Sequence, residues 1–367
     1  MINKEKIISI ELLRFISAFS ILIVHYQHFA YIGGEVDLNF QRNLQPFYSV
    51  LKPFYNLGSR GVLMFWSISG FIFFFKYFEL LQTKNISIKK FVVARFSRLY
   101  PLHFFTLFLV LLLQWIYFVS NDVYFVYQTN NIKNFFYHLF FISGWELEGR
   151  GFNHPIWSVS VELIVYVFYF YIFTYFKIWL GYVAVILFFL IFYKFFGFSD
   201  QSVAMCILYF FFGGIIAILK YYPFYISKNK LINNNLFNIF FIFIFLLLIC
   251  VTYSKMYEKL LIFTPLNNSL SFFMSGFLIC LFIYMNSFSL RYSKIFIFLG
   301  NMTYSSYLCH FPMQLILVII LTEIGYSIDY TSHKLLFIYL FATYFVSYFA
   351  FRYLETPIQH FIRARFK

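Results

Sequence analysis

Apolar runs near 20 residues recur along the whole chain, broken by short polar stretches. A helix of that length crosses the hydrocarbon core of a bilayer. The pattern predicts ten spans, at about 7–32, 59–78, 99–120, 155–176, 178–193, 203–219, 234–253, 269–286, 296–322 and 335–353. The span at 178–193 is short, and the stretch 134–145 suits a re-entrant or interfacial segment. The expected fold is all-α: a polytopic membrane helical bundle. No repeat, long linker or soluble appendage interrupts it, so residues 1–367 are expected to form a single integral membrane domain.

Composition narrows the class. Of 367 residues, 62% are hydrophobic and 11% charged, against about 45–50% and 25% in a soluble domain. A soluble enzyme, a disordered chain and a secreted disulfide scaffold are excluded. The 59 Phe and 32 Tyr, with abundant Ile, Asn and Lys, match the bias of an AT-rich genome, and the Phe excess reads as lipid-facing filler. Cys206, Cys250, Cys280 and Cys309 lie in apolar runs without a CxxC, so neither a metal site nor a disulfide is expected. Lys4 and Lys6 precede an apolar stretch that contains Glu11 and Arg14 and has no small-residue cleavage pattern. It reads as a retained first helix.

The net charge of +14 would point to nucleic acid in a soluble chain. Here it orients the helices, and no nucleic-acid partner is expected. With the N-terminus in the cytoplasm, 18 basic residues fall inside and nine outside. The inside set includes Lys4, Lys6, Lys84, Lys89, Lys90, Arg95, Arg98, Lys220, Lys228, Lys230, Arg291, Lys294, Arg363, Arg365 and Lys367. The positive-inside rule then places both termini in the cytoplasm.

Ionisable groups inside spans are costly and point to function. Arg14 and His25 are eleven residues apart in the first span. At 100° per residue they share one face, about 16 Å apart along the axis. Glu11 stands one turn before Arg14 and can neutralise it. Arg95 and Arg98, before the third span, also share a face. Two guanidinium forks suit a phosphate-bearing ligand, although simple anchoring by positive charge fits them as well. The fourth span opens Asn153-His154-Pro155-Ile156-Trp157-Ser158-Val159-Ser160-Val161-Glu162. Pro155 suits a first helical turn and Asn153 its cap. By helix rise, Glu162 and His25 lie at a similar depth from the outer surface. A carboxylate there could orient the imidazole and raise its basicity, or be satisfied structurally by Ser or Tyr. In the ninth span Tyr307, His310 and Pro312 could line a cavity or only satisfy one another. Glu355, at the end of the tenth span, could hold one of the arginines. Two groups result. Glu11, Arg14, Arg95, Arg98 and Glu355 lie toward the cytoplasm; His25, Glu162, Trp157 and His310 lie toward the outside. A molecule bound from the cytoplasm, with its reactive end reaching a second site, fits this division.

These pieces together resemble the acyltransferase 3 family of integral membrane O-acyltransferases, over nearly the whole chain. The matching pieces are Arg14-x10-His25, Trp66-Ser67-Ile68-Ser69-Gly70-Phe71, Arg95-x-x-Arg98-x-x-Pro101, Trp157-Ser158-Val159-Ser160-Val161-Glu162, Tyr304-Ser305-Ser306-Tyr307-Leu308-Cys309-His310-Phe311-Pro312 and Glu355-Thr356-Pro357. The resemblance implies transfer of an acetyl group from acetyl-CoA, a co-substrate and not a resident cofactor, to a hydroxyl of a glycan or lipid-linked sugar. It implies catalytic roles for Arg14, His25 and Glu162, and donor binding by Arg95 and Arg98. Trp157, Ser160, Tyr307, His310 and Glu355 are expected in substrate-binding or structural roles. Many relatives carry a fused extracytoplasmic SGNH hydrolase-like domain. Its lack here implies direct transfer or a separate extracytoplasmic partner. Relatives often follow the span-four Glu with a second acidic residue, where this chain has Leu163.

Three other classes are weighed. A purely structural assembly partner would leave the intramembrane Arg14, His25 and Glu162 without a reason. A transporter or flippase of lipid-linked sugars would need no acetyl-CoA, and would often show internal repeats; none is visible. A different membrane acyltransferase class would use fatty acyl donors or protein acceptors. The His-x4-Asp pattern of soluble-type acyltransferases is absent, since Ala30 stands five residues after His25. A bacterial inner membrane is the expected location.

Overall fold

A computed structural model describes residues 6–32, 34–145, 150–196, 203–226, 230–253, 264–286 and 290–366. Lys4, Lys228 and Lys367, three of the cations used to orient the spans, lie outside these residues. The chain is almost entirely helical. Its one described sheet is an antiparallel pair, β1 (Tyr31–Ile32) with β2 (Glu35–Val36). The helices are α1 (Ile8–His25), α2 (Tyr48–Leu57), α3 (Gly61–Gln82), α4 (Ile88–Asn121), α5 (Ile132–Leu139), α6 (Trp157–Tyr175) and α7 (Ile178–Phe196). They continue with α8 (Val203–Tyr221), α9 (Lys230–Tyr253), α10 (Thr264–Tyr284), α11 (Ser293–Asn301), α12 (Thr303–Glu323), α13 (His333–Phe349) and α14 (Thr356–Arg365).

Among the described residues, 7 helical stretches are long and apolar enough to cross a membrane. They are Ile8–Ala30, Tyr48–Gln82, Ile88–Asn121, His154–Tyr175, Val203–Tyr221, Thr303–Glu323 and His333–Arg365. Shorter apolar helices cover Ile178–Ile191, Asn235–Leu248 and Leu270–Tyr284. Helices therefore stand at all the predicted span positions.

Several boundaries differ from expectation for physical reasons. The predicted 79–98 loop shrinks to residues 83–87, because α3 continues to Gln82 and α4 starts at Ile88. Ser87 caps α4 by accepting a hydrogen bond from Lys90 N, and charged side chains do not end a helix once its first turn is capped. Arg95 and Arg98 consequently sit on α4 itself. The predicted ninth span is two helices, α11 and α12, that break at Met302. The tail after the last span is also helical. A π-turn, Ala350–Glu355, leads into α14, whose second residue is Pro357.

The chain divides into two compact units. Unit 1 comprises residues 1–14, 62–86 and 164–298, and unit 2 residues 15–61, 87–163 and 299–367. Unit 1 is held by close helix approach and aromatic packing. A Cβ at Gly70 would overlap the Phe210 carbonyl, and one at Gly213 the Ser67 carbonyl. The pairs 70 with 210 and 67 with 213 run in opposite senses, so α3 and α8 are antiparallel, backbone against backbone at two glycines, as small residues allow in membranes. Phe73 stacks on Tyr166 at 4.1 Å between centroids. The buried hydroxyls of Tyr169 and Tyr222 donate to the carbonyls of Phe73 and Phe75 at 3.1 and 2.9 Å. Ser67 and Ser275 share a buried hydrogen bond of 3.0 Å.

Unit 2 packs α12 against α13 and α4, and α14 against α4. Its core joins Leu22, Tyr26, Phe29, Val110, Tyr117, Phe311, Leu315 and Tyr339. Tyr339 donates its hydroxyl to Leu22 O at 3.2 Å, which fastens α13 to the end of α1.

Candidate active site

The geometry of unit 2 starts from one proline. Pro312 lies inside α12. Lacking an N–H, it leaves the carbonyl four residues earlier, that of Leu308, without its helical partner. Asn153 supplies one: its Nδ2 donates to Leu308 O at 3.1 Å, with the side chain fully buried. This overturns the expectation that Asn153 caps the fourth span, since its side chain makes no capping hydrogen bond. The amide goes instead to the carbonyl that the proline freed. The start of α6 is thereby drawn onto α12. Tyr307 then donates its hydroxyl to Pro155 O at 2.6 Å and meets Ser158 Oγ at 2.9 Å.

Ser160 is occupied by structure. Its Oγ donates to Trp157 O at 2.8 Å and accepts from Gly144 N at 2.8 Å, tying the segment before α6 to the helix. Gly144 sits so close that a Cβ there would strike Trp157 O. Glu162 is half-buried on α6, and its charge acts on the Tyr307 hydroxyl.

His25, the last residue of α1, is half-buried. Its Nδ1 lies 2.9 Å from Ile21 O. A carbonyl only accepts, so Nδ1 carries the proton and Nε2 keeps a bare lone pair. The ring stacks on His310 at 4.9 Å with an interplanar angle of 28°, and lies 4.9 Å from His28. Gln314 fastens the group: its Nε2 donates to His25 O at 2.8 Å, and its Oε1 faces His28 Nδ1 at 3.0 Å. The structure thus brings His25 and His310 together. The contacts of the His25 ring include Ile21 O, His28 and His310. Among the described residues, no group of three or more His, Cys, Asp or Glu side chains is arranged to hold a metal ion.

Arg14 lies in unit 1, where Glu11 binds it at 2.7 Å. Arg95 and Arg98, both half-buried, lie in unit 2 one turn apart on α4. Between them Ser97 accepts a hydrogen bond from Arg363 Nε at 3.1 Å, and Arg363 Nη2 donates to Ala94 O at 3.1 Å. Three guanidinium groups therefore share one stretch of α4. Tyr304 holds that stretch from α12, its hydroxyl donating to Leu99 O at 2.5 Å. The buried Glu355 carboxylate accepts from Ser305 Oγ at 2.8 Å.

A family model described as an acyltransferase domain, that of acyltransferase 3, matches residues 7–352, nearly the whole chain and both units. The chain belongs to the acyltransferase 3 family. It is a membrane acyltransferase. No curated protein and no solved structure matches it.

Four residues of this acyltransferase escaped the sequence reading. Gln314 has no motif signal; only its position one turn beyond His310 on the same helix hinted at it. Asn153 reads in the sequence as a helix cap, and Arg363 as a tail cation. Arg150 is exposed, and its charge acts on His25, His28 and His154. Outside the spans, burial pushes the pKa of the Tyr127 hydroxyl up, and the Arg150 charge opposes the rise. Burial of His138 on α5 lowers its pKa to about 3, with a further push from His103.

Proposed function

We propose that this protein transfers an acetyl group from acetyl-CoA to a hydroxyl of a cell-surface glycan or lipid-linked sugar, in a bacterial inner membrane. The observation that carries this reading is the fixed tautomer of His25. Its Nδ1–H is committed to Ile21 O at 2.9 Å, so Nε2 is ready to receive a proton at neutral pH. Arg95 and Arg98, with Arg363 beside them, offer guanidinium forks to the phosphates of the donor. Arg14, eleven residues before His25 on α1, assists donor binding, with Glu11 orienting its fork. The thioester carbonyl is delivered to His25. The acceptor hydroxyl gives its proton to Nε2 and attacks that carbonyl; the C–S bond breaks, and the proton passes to the departing thiolate. Glu162 and Trp157 act on the acceptor side, and Tyr307 and Ser160 hold α6 in place. A separate extracytoplasmic partner can carry the product onward.

The test is thermal unfolding of the purified protein in detergent with acetyl-CoA. A ligand that binds only the folded state raises its apparent stability. Acetyl-CoA is expected to stabilise wild type and His25→Ala, and not the Arg95→Ala/Arg98→Ala double variant. No stabilisation of wild type at saturating acetyl-CoA would defeat the donor assignment.

A further inference from the structure

We propose that His310 is a second hydroxyl-binding imidazole beside His25, and that the acceptor presents two hydroxyls on neighbouring carbons. The inference rests on the acyl-transfer reading above and narrows its acceptor.

His310 is completely buried on α12. Its Nδ1 lies 2.6 Å from Tyr307 O, so Nδ1 carries the proton and Nε2 is a lone-pair acceptor. That Nε2 is buried and has no hydrogen-bond partner among the described residues. A buried polar atom left so is costly, and such atoms in a folded protein call for an explanation. Packing alone does not provide one, since a phenylalanine would fill the same space without the cost.

The neighbour supplies the explanation. His25 has the same tautomer, fixed by Ile21 O at 2.9 Å. The two rings lie 4.9 Å apart and 28° from parallel. Both present acceptors, so they cannot satisfy each other. A molecule that brings two donors completes the pair. An ionised carboxylate brings none. A hydroxyl brings one, and two hydroxyls on adjacent carbons bring two to rings 4.9 Å apart, each O–H···N bond reaching about 2.8 Å. A sugar ring carries such pairs.

The division of labour follows. The hydroxyl at His25 loses its proton to Nε2 and attacks the thioester carbon. A C–O bond forms, the C–S bond breaks, and the proton moves from His25 to the thiolate. The hydroxyl at His310 keeps its proton throughout, and its hydrogen bond orients the sugar and selects the position acylated. His310 is thus an acceptor-binding residue and undergoes no net change.

The experiment measures ester formation by the purified full-length protein with acetyl-CoA and two probe alcohols of similar size, 1,2-propanediol and 1-propanol. Wild type is expected to favour the diol by about tenfold in kcat/KM, the worth of one hydrogen bond. His310→Asn keeps a donor for Tyr307 O but removes the distal acceptor; it should reduce the preference to less than about twofold, mainly through the KM of the diol. His310→Gln restores an amide oxygen near the Nε2 position and should recover part of the preference. Equal use of both alcohols by wild type, or a preference that survives His310→Asn, overturns the proposal while leaving acyl transfer intact. Stabilisation by acetyl-CoA without ester from either alcohol also overturns it and leaves donor binding standing. Failure of both stabilisation and ester formation defeats the acyl-transfer reading itself.

Discussion

Units 1 and 2 bury their interiors by opposite means. In unit 1 the helices approach until backbone meets backbone at Gly70 and Gly213, and rings such as Phe73, Tyr166 and Tyr169 fill the remainder. Buried hydroxyls there are consumed by carbonyls, as Tyr169 and Tyr222 are. In unit 2 the interior holds His25, His28, His310, Gln314, Asn153, Ser158 and Tyr307, linked to backbone carbonyls and to one another. The first arrangement gives these hydroxyls carbonyl partners within the unit. The second leaves His310 Nε2 unsatisfied and His25 with an accepting nitrogen. A protein that keeps polar groups unsatisfied in one unit, and not along its glycine contacts, separates scaffold from chemistry.

Four substitutions or conditions can break this contrast or sharpen it. The largest effect is expected from His25→Ala. Loss of a general base lowers the transfer rate by about 10²–10⁴-fold, while thermal unfolding in detergent stays near that of wild type. Normal transfer by this variant would remove His25 from the mechanism. Next comes Gly70→Leu or Gly213→Leu in unit 1. Either side chain meets a carbonyl of the facing helix, and overpacking of this kind costs about 1–3 kcal/mol or more. The yield of folded protein on size-exclusion chromatography should fall sharply; an unchanged yield would mean that α3 and α8 can separate at little cost.

Asn153→Ala should be milder. It strips the Leu308 carbonyl of its donor, a loss of about 1–3 kcal/mol, and loosens the start of α6. Both stability and transfer rate should drop, in contrast to the His25 variant. If only the rate falls, Asn153 touches substrate and does not merely tie α6 to α12.

The smallest effect is a pH dependence. His138 stays neutral in the fold down to about pH 3 because it is buried. The unfolded chain takes up that proton near pH 6.5. The unfolded form therefore binds more protons below pH 6.5, and stability falls as pH falls. The share of His138 is fully present above pH 6.5 and reduced by about 2 kcal/mol at pH 5. His138→Phe should flatten that part of the thermal-stability profile, and an unchanged slope would mean that His138 is accessible to protons in the fold.

Much of this was legible before any coordinates. Run length marked the helices, because a bilayer demands about 20 apolar residues whatever packs beside them. The scarcity of charge inside the runs singles out Arg14, His25 and Glu162 as candidates, because each such group carries a cost. The order of the short motifs led to the family that matches residues 7–352. The start of α4 was misplaced, since cations at 89, 90, 95 and 98 look like a loop until the Ser87 cap is seen.

The sequence by itself determined the helices, the family and the identity of the ionisable residues, because these depend on local composition and on spacing along one chain. The tertiary structure alone decided which atoms meet. Pro312 announced a missing N–H, but only the fold shows that Asn153 of a distant segment fills the gap. His25 and His310 are 285 positions apart by number and 4.9 Å apart by ring. Glu162, on another helix, acts on the Tyr307 hydroxyl. Helix periodicity orients a residue around its own axis, but not the rotation and depth of one helix against another. Those follow from the summed packing of all the side chains between them.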